Sequence, residues 1–452
     1  MRIRIAAGFS TSVFIALFAM AMLPRDADAI AVRTWVGNSD NWVFSDPTNW
    51  NGNTPIANGD LLVFNGIHED TLRNDIPGLS LTRLTFVDGF FTITGDPIQV
   101  DDIVVDENGG YSTVTANLSG FGRTLVGKGS YLGLSGANTF TGQVDVAGGL
   151  VASSDKALGS TAGATRILPG GHVEFAGRDL GLEPILIETG PGALTDRGCA
   201  ILNIDGASIL RNVKTSGTSC IVNNAAISYP NGIQELSGTY EIYLLSGTHI
   251  FAGNTSATGM LHIGGEGTLI WDATSLVSIS NAGLGDAAAE GTVIGRGTAA
   301  GVDVDQGTFA PGEDSIPGVF TIAGPLKLQN AAFEVLLKGT AAGTGHSQAK
   351  VSGPITIGAK TTLDVTLGFS PAPGQSFRII DNTGSQAVSG TFTGLPEGAS
   401  FALGGKTWAI TYKGGTGNDV VISTTTPGPP TPPPPSDPRP FKQVMPMVAK
   451  NP

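Results

Sequence analysis

The sequence predicts an all-β protein built as a long parallel β-helix, and three features carry that prediction. Glycine supplies 65 of the 452 residues, about twice its average share. Short runs of alternating apolar residues, such as 81–86 and 363–367, are bounded by Gly, Asn, Asp or Pro, as strands between turns are. Such runs continue along most of the chain, which is long for one β-sandwich. A stack of coils sharing one core fits this pattern, and a series of small β-sandwiches is the alternative.

Paired glycines recur at positions that suit the corners of such coils. The pairs stand at 109–110, 148–149, 170–171, 264–265, 404–405 and 414–415. Glycine takes positive φ angles without a steric penalty, and a coil that turns several times needs such corners repeatedly. With roughly 20 residues in a coil, we expect about 16 to 20 coils and a rod of about 80 to 95 Å.

Residues 1–29 have the pattern of a cleavable signal peptide. Arg2 and Arg4 precede an uncharged, apolar stretch over 5–23, and the small-x-small triplet at 27–29 suits a signal peptidase. The apolar stretch is just long enough to span a bilayer, so an N-terminal anchor is the alternative. The order of charge, apolar stretch and triplet favours cleavage and therefore export. No later segment is apolar enough to cross a membrane as a helix.

The net charge of the chain argues against one class of binding partner. The formal net charge is −13 at pH 7, and nucleic-acid binding needs clustered Lys and Arg, so no nucleic-acid partner is expected. We expect a protein that the export machinery delivers to the outside of the cell or to the periplasm, where it is secreted or held at the cell surface. No Walker or dinucleotide loop follows a strand, and no cofactor is predicted.

The two cysteines, Cys199 and Cys220, are 21 residues apart. Coils of roughly 20 residues would place them one above the other, and an exported protein meets oxidising conditions, so a disulfide is predicted. Two buried free thiols are the alternative. This pair alone does not make a metal site, because no His or second Cys pair accompanies it.

Three of the five tryptophans, Trp35, Trp42 and Trp50, crowd into one N-terminal block. Large aromatic side chains can plug the open end of a solenoid, so residues 30–130 are predicted to form an N-terminal cap and the first coils. The alternative is a platform on which the three rings stack against sugars.

The composition changes sharply at the C-terminus. Residues 424–452 include the run Pro432-Pro433-Pro434-Pro435, which favours extended polyproline-like chain. This segment is predicted to be a disordered tail after a body that spans residues 131–423.

Several motifs of the body resemble those of a known family. Residues 134–142 read LSGANTFTG and residues 157–159 read ALG. Together, within 131–177, they resemble one unit of the autotransporter-associated β-strand repeat. The GTFAPG motif at 307–312 resembles the closing unit of these proteins, which here would span 307–423.

The resemblance implies a right-handed parallel β-helix passenger, displayed or released at the cell surface. Such passengers serve as adhesins, stalks or spacers. The family ends in a membrane β-barrel of many amphipathic strands. In this sequence the Pro-rich segment ends at Pro452, so we expect a passenger-like chain without that barrel.

Candidate catalytic and metal-binding residues are few. Asp303 and Asp305 share one face of a strand and could serve sugar-cleaving chemistry or bind calcium. The neighbouring sequence offers them no Arg or Lys, so a solvated face is favoured for this pair and for Asp101-Asp102. Residues 414–419 read GGTGND, which is similar to a calcium β-roll repeat. A single repeat supplies too few oxygen ligands, so a plain turn is favoured.

The five histidines (His68, His172, His249, His262 and His346) have no metal-ligand spacing, and no serine stands in a nucleophile elbow. The sequence therefore predicts a non-catalytic, adhesin-like or structural protein. It would present loops for weak, multivalent contacts with surface glycans, or with the surface of a host or neighbouring cell. The alternatives are a β-helix lyase or hydrolase acting on carbohydrates and a glycan-binding module.

Overall fold

The computed structural model describes residues 30–66, 69–188, 199–216, 218–235, 241–253, 260–264, 266–275, 277–280 and 291–425. Across these residues the chain is an all-β solenoid whose coils stack through parallel strands. The predicted parallel β-helix is confirmed. The signal peptide over 1–29, the tail from residue 426 onward and His68 lie outside the described residues. In the part described, no helix is long and apolar enough to cross a membrane.

Two sheets run along the N-terminal part of the solenoid. In spatial order, the first sheet contains β1 (Val32–Thr34), β2 (Leu61–Phe64), β4 (Ser80–Phe86), β6 (Ile98–Val105), β9 (Thr124–Val126), β11 (Val144–Val146), β13 (Thr165–Ile167), β15 (Ile185–Ile187), β18 (Val213–Thr215) and β21 (Ile233–Glu235), with β8 (Leu118–Ser119) beside β6. A short 3-10 turn, Pro47–Asn49, lies between β1 and β2.

The second sheet continues almost to the C-terminal end. Its strands in spatial order are β3 (Glu69–Asn74), β5 (Phe90–Gly95), β7 (Tyr111–Val114), β10 (Tyr131–Leu134), β12 (Gly149–Ala152), β14 (His172–Ala176), β16 (Ile201–Asp205), β19 (Ser219–Asn223), β22 (Glu241–Leu245), β24 (Met260–Gly264), β26 (Ser278–Ser280), β29 (Gly301–Asp305), β33 (Leu326–Gln329), β36 (Ile355–Ile357) and β39 (Ser389–Gly390).

Two further sheets appear in the C-terminal half. The third contains β17 (Ala207–Ile209), β20 (Ala226–Tyr229), β23 (Thr248–Phe251), β25 (Thr268–Trp271), β27 (Thr292–Gly295), β30 (Thr308–Glu313), β34 (Ala332–Leu337) and β37 (Thr362–Leu367), with β31 (Ile316–Pro317) antiparallel to β30. The fourth contains β28 (Thr298–Ala299), β32 (Val319–Ile322), β35 (Gln348–Val351), β38 (Ser376–Asn382), β42 (Asp419–Thr424), β41 (Lys406–Gly414) and β40 (Ser400–Leu403).

The described coils are fewer than the sequence predicts. The second sheet, the longest, holds 15 strands in the described residues, which at strand spacing is a stack of about 65 to 70 Å. Late coils are longer than the assumed 20 residues, because pairings such as Asp303 with Lys327 and Thr356 with Ser389 join residues 24 and 33 positions apart. The extra length forms strands of the third and fourth sheets.

The repeat unit over 131–177 is explained by contacts between neighbouring coils. Asn138 bridges three coils: its Oδ1 accepts from the amide of Leu118 at 2.8 Å, and its Nδ2 donates to the carbonyl of Ala157 at 2.8 Å. Gly159 has φ +86°, and a Cβ there would lie 2.6 Å from the ring of Phe140. The asparagine and the glycine of the motif are therefore requirements of close stacking.

The N-terminal end is closed by a cluster of buried rings, the cap, formed by Trp35, Phe44, Trp50 and Phe64. The ring centroids of Trp35 and Trp50 lie 5.1 Å apart, and Trp50 packs edge-on against Phe44 at 5.5 Å. The indole Nε1 of Trp50 donates to the carbonyl of Phe44 at 3.0 Å. Apolar burial and a satisfied indole make this cluster a stable plug for the solenoid.

The C-terminal end is closed differently, by antiparallel strands. β42 lies between β38 and β41, and β40 pairs with β41, all antiparallel. Trp408 and Phe377 are buried there, with ring centroids 5.8 Å apart. Turning the last strands back on themselves covers the open end of the coil stack.

Candidate binding surface

The candidate contact surface lies at the N-terminal end of one column of residues on the outer face of the second sheet, whose middle part is buried. Because side chains alternate between the two faces of a strand, the parallel register aligns one outward residue from each coil. From the N-terminal end, the column contains Phe90, Tyr111, Tyr131, Gly149, His172, Ala200, Cys220, Tyr243, His262, Ser280, Asp303, Lys327, Thr356 and Ser389.

The first part of this column is aromatic, and we call Phe90, Tyr111, Tyr131 and His172 the strip. The exposed fraction of the side chain is 50% for Phe90 and 39% for Tyr111. The ring centroids of Tyr111 and Tyr131 lie 5.8 Å apart, and those of Tyr131 and His172 lie 5.4 Å apart. Tyr131 is partly buried and His172 has an exposed fraction of 6%, so the exposed aromatic surface of the strip is mainly that of Phe90 and Tyr111. Neighbouring exposed aromatic residues can mark a contact surface.

One glycine lets the ring of Tyr131 lie against the sheet. A Cβ on Gly149 would lie 2.3 Å from Cε1 of Tyr131 and 2.9 Å from Nε2 of His172. At Gly133 the close approach is to Thr113, whose hydroxyl oxygen would lie 2.9 Å from a Cβ, while the hydroxyl oxygen of Tyr111 would be in ordinary contact at 3.4 Å. The ring of Tyr131 therefore leans over the backbone of Gly149.

Polar groups border the strip. The Nε2 of His172 lies 3.0 Å from Oε1 of Glu174, which faces outward on the same strand. The neighbouring outward column includes Thr92 and Thr113, which are paired and partly exposed. Flat rings beside hydroxyl and carboxylate groups can contact both the C–H faces and the hydroxyls of a carbohydrate.

Farther along the same column, Asp303 and Lys327 form a charged pair. The Nζ of Lys327 lies 3.0 Å from Oδ2 of Asp303, and Asn330 donates to Oδ1 of Asp305 at 3.0 Å. The expectation that the two aspartates lack a basic partner was wrong, because Lys327 lies on the next coil, 24 residues away. Both acids point outward with polar partners, as on a solvated surface.

The structure does not support a sugar-binding platform formed by the three N-terminal tryptophans. The exposed fraction is 3% for Trp35 and 0% for Trp50, so neither ring has a face open to a sugar. Trp42 is partly buried against the core. The physical reason is that the open end of the coil stack needs apolar rings to cover it, and the tryptophans are used there.

Cys199 and Cys220 are joined by a disulfide, with their Cα atoms 4.6 Å apart. The bridge links β19 to the residues just before β16, where Ala200 donates its amide hydrogen to the carbonyl of Cys220 at 3.0 Å. It therefore ties two successive coils together directly.

The remaining candidate acids have structural partners. Asp102 pairs with Arg83 at 2.8 Å, between adjacent strands of the first sheet. Asp419, in the turn that is similar to a calcium repeat, is buried, accepts from the amide of Asn382 at 2.8 Å and pairs with Arg378 at 3.1 Å. A carboxylate with these two partners stabilises the C-terminal end of the fold.

The described histidines lie in separate places. His249 is fully buried beside Tyr229, and burial lowers its pKa to about 4. His262 stacks on Tyr243 with ring centroids 4.4 Å apart, while Nε2 of His346 contacts the carbonyl of Arg378. Among the residues that the structure describes, no group of three or more His, Cys, Asp or Glu side chains is placed to hold a metal ion.

The sequence contains a signal for the strip that composition alone does not reveal. Phe90, Tyr111 and Tyr131 stand 21 and 20 residues apart, and each is the first residue of a strand after a turn. That interval matches the spacing of the two cysteines. Aligning the chain at the coil period would have placed the three rings in one column.

Comparison with known proteins finds a similarity to an autotransporter adhesin. No protein-family model matches the chain. The chain is similar to a protein described as "Adhesin BmaC autotransporter" from Brucella suis biovar 1 (strain 1330), with 28% identity over 357 residues, 72% of this chain and 10% of that protein. The chain thus spans about a tenth of the length of that curated relative. This likeness and the parallel β-solenoid together fit an autotransporter passenger-like β-helix, as the resemblance predicted.

Proposed function

We propose that the chain is a non-catalytic, adhesin-like segment of an exported or cell-surface protein, and that the strip is its contact surface for glycans. The single observation that carries the glycan contact is the column formed by the exposed Phe90 and Tyr111 and the partly exposed Tyr131 on the outer face of the second sheet. The adhesin-like role is supported by the relative's description and by the β-solenoid.

The mechanism follows from the regularity of the coils. Strand spacing repeats the same position in every coil, so a chain molecule that lies along the solenoid meets a ring at each of three successive coils. Each contact is weak, and their sum over several coils gives useful affinity. Because the ring of Tyr131 leans on Gly149, little side-chain entropy of Tyr131 is lost when a ligand covers it.

The test is binding of the purified protein to immobilised neutral polysaccharides and to a glycan array. Tyr111→Ser and Tyr131→Ser should each weaken binding about tenfold, since one aromatic contact contributes on the order of 1 kcal/mol. Phe121→Ser is the matched control: Phe121 is an aromatic residue with an exposed fraction of 78%, outside the column.

Two outcomes would contradict the proposal. Equal loss of binding in all three variants would mean that the rings contribute only nonspecific hydrophobic adsorption. Cleavage of a polysaccharide by the purified protein would instead favour the carbohydrate-active alternative.

A further inference from the structure

A buried histidine lies in the middle part of the solenoid, just after the corner that joins β22 to β23. The exposed fraction of His249 is 0%. Its neighbours in the same inner column are Ile227 on β20 and Leu269 on β25, and its ring stacks against that of Tyr229 with centroids 6.2 Å apart. An ionisable side chain enclosed by apolar neighbours on both adjacent coils needs an explanation.

Both ring nitrogens of His249 are engaged, in an arrangement that suits the neutral imidazole. Nε2 lies 3.1 Å from the carbonyl oxygen of Ser246, and Nδ1 lies 3.3 Å from the hydroxyl oxygen of Tyr229. Because a carbonyl can only accept, Nε2 carries the hydrogen and Nδ1 accepts from the tyrosine hydroxyl. A second proton, on Nδ1, would place a charge in the core and turn the hydroxyl hydrogen of Tyr229 away from its acceptor.

The hydrogen bond from Nε2 holds a corner with an uncommon backbone conformation. Ser246 has φ +57° and Gly247 has φ +53°, and a residue other than glycine is rare in this region. The corner lies close to the preceding coil, since a Cβ on Gly247 would lie 2.2 Å from the carbonyl oxygen of Asn223. The Nδ2 of Asn223 also donates to the carbonyl of Thr248 at 2.8 Å. His249 therefore holds the corner from inside the solenoid, and Asn223 holds it from the preceding coil.

Among the residues described around this ring, no charged side chain would offset a second proton. β20 contributes Tyr229, and β22 turns the buried Ile242 and Leu244 toward the core. β25 has no ionisable residue, and β23 has none besides His249 itself. Burial lowers the pKa of His249 to about 4, and hydrogen bonds to two backbone carbonyls of the corner act against that change.

A second buried ionisable group responds to acid in the opposite direction. Burial raises the pKa of Glu183 from 4.5 to about 7, so the folded coils bind this proton more readily than opened coils do, and they gain stability as the pH falls from 7 to 4.5. At His249 the folded coils bind the proton less readily, because the ordinary pKa is 6.5. The stability that neutral His249 contributes is complete above pH 6.5 and is lost as the pH falls toward 4.

We propose that His249 is a pH switch: protonation of its ring releases the corner between β22 and β23 and opens the coils around it, while the coils near Glu183 stay folded. A solenoid can open locally in this way, since each coil contacts only its neighbours. The solenoid would then have a middle segment that loosens in acid. This inference is separate from the proposed glycan contact and does not depend on it.

The test is hydrogen–deuterium exchange of the full protein at pH 7 and pH 5, corrected for the intrinsic pH dependence of amide exchange. In the wild type, opening of segment 241–253 should rise about twentyfold at pH 5, as pKa values of 6.5 in the open state and about 4 in the closed state require. Segment 165–187, which contains Glu183, should become more protected. Equal protection of segment 241–253 at the two pH values would overturn the proposal.

His249→Gln removes the titrating group, and its amide can still donate to Ser246 and accept from Tyr229 at either pH. Opening of segment 241–253 should then change by less than about threefold between pH 7 and pH 5. His346→Gln is the matched control, because His346 has an exposed fraction of 4% but lies near the C-terminal end. It should leave the acid response of segment 241–253 intact. An unchanged response in His249→Gln, or its loss in His346→Gln, would overturn the assignment to His249. Circular dichroism at pH 7 shows whether each variant is folded, and the comparison of the two wild-type segments decides the proposal if His249→Gln is not.

Discussion

The cap and the strip both contain neighbouring aromatic rings. The centroids lie 5 to 6 Å apart in the pairs Trp35–Trp50 and Phe44–Trp50 of the cap and Tyr111–Tyr131 and Tyr131–His172 of the strip. The cap lies inside the solenoid, whereas the strip lies on its outer face. Trp50 in the cap is fully buried, whereas Tyr111 in the strip has an exposed fraction of 39%. Trp50 follows the 3-10 turn between β1 and β2 and points into the end of the solenoid, whereas Tyr111 lies on the outer face of β7. Rings inside the solenoid stabilise the fold, and rings on its outer face are available for contact.

The largest expected effect comes from breaking the cap. Trp50→Ala removes ring contacts with Trp35, Phe44 and Phe64 and the hydrogen bond to the carbonyl of Phe44. The free energy of unfolding should fall by about 3 to 5 kcal/mol, as for other buried tryptophans. Urea denaturation measures the loss, and hydrogen exchange should place it in the first coils, since each coil contacts only its neighbours.

Trp42→Ala is the control for the cap, because this ring is only partly buried. Trp42→Ala should lower the free energy of unfolding by clearly less than Trp50→Ala does. Equal destabilisation by the two substitutions would show that burial does not separate the two tryptophans.

An intermediate effect is expected from the disulfide. Replacing Cys199 and Cys220 together by Ala should lower the free energy of unfolding by about 3 kcal/mol, because the bridge closes a loop of about 20 residues in the unfolded chain. The difference should appear in thermal melts of the wild type with and without reductant. A double variant that still responds to reductant would show that the reductant acts elsewhere.

The smallest effect on stability is expected in the strip. Tyr111→Ser should change the free energy of unfolding by less than about 1 kcal/mol, as exposed substitutions usually do, while it weakens glycan binding. Denaturation of this variant beside Trp50→Ala tests the comparison directly. A loss as large as that of the cap variant would mean that the outer rings also hold the coils together.

The sequence predicted the architecture because the relevant signals are local. Alternating apolar residues, turn glycines and the Asn138 motif each act within one coil or between adjacent coils, so the parallel β-helix could be inferred. The antiparallel strands after β38 were not predicted, since alternation looks the same in parallel and antiparallel strands. The length of the later coils was also missed, because turn residues do not reveal how many strands one coil contains.

The candidate sites were harder to predict, because they depend on which coils become neighbours. Asp303 meets Lys327, 24 positions later, only after the chain has closed one coil.

The sequence by itself determined that this chain forms stacked β-coils and that its aromatic residues recur with the period of the coil. Only the tertiary structure decided which rings are buried and which are exposed. The physical reason is that strand propensity and turn chemistry are properties of short segments, whereas the register between coils depends on the length of every turn and on the close approach of backbone to backbone. A shift of one residue would exchange the inner and outer faces of a strand, and on β5 it would exchange the exposed Phe90 with the buried Phe91.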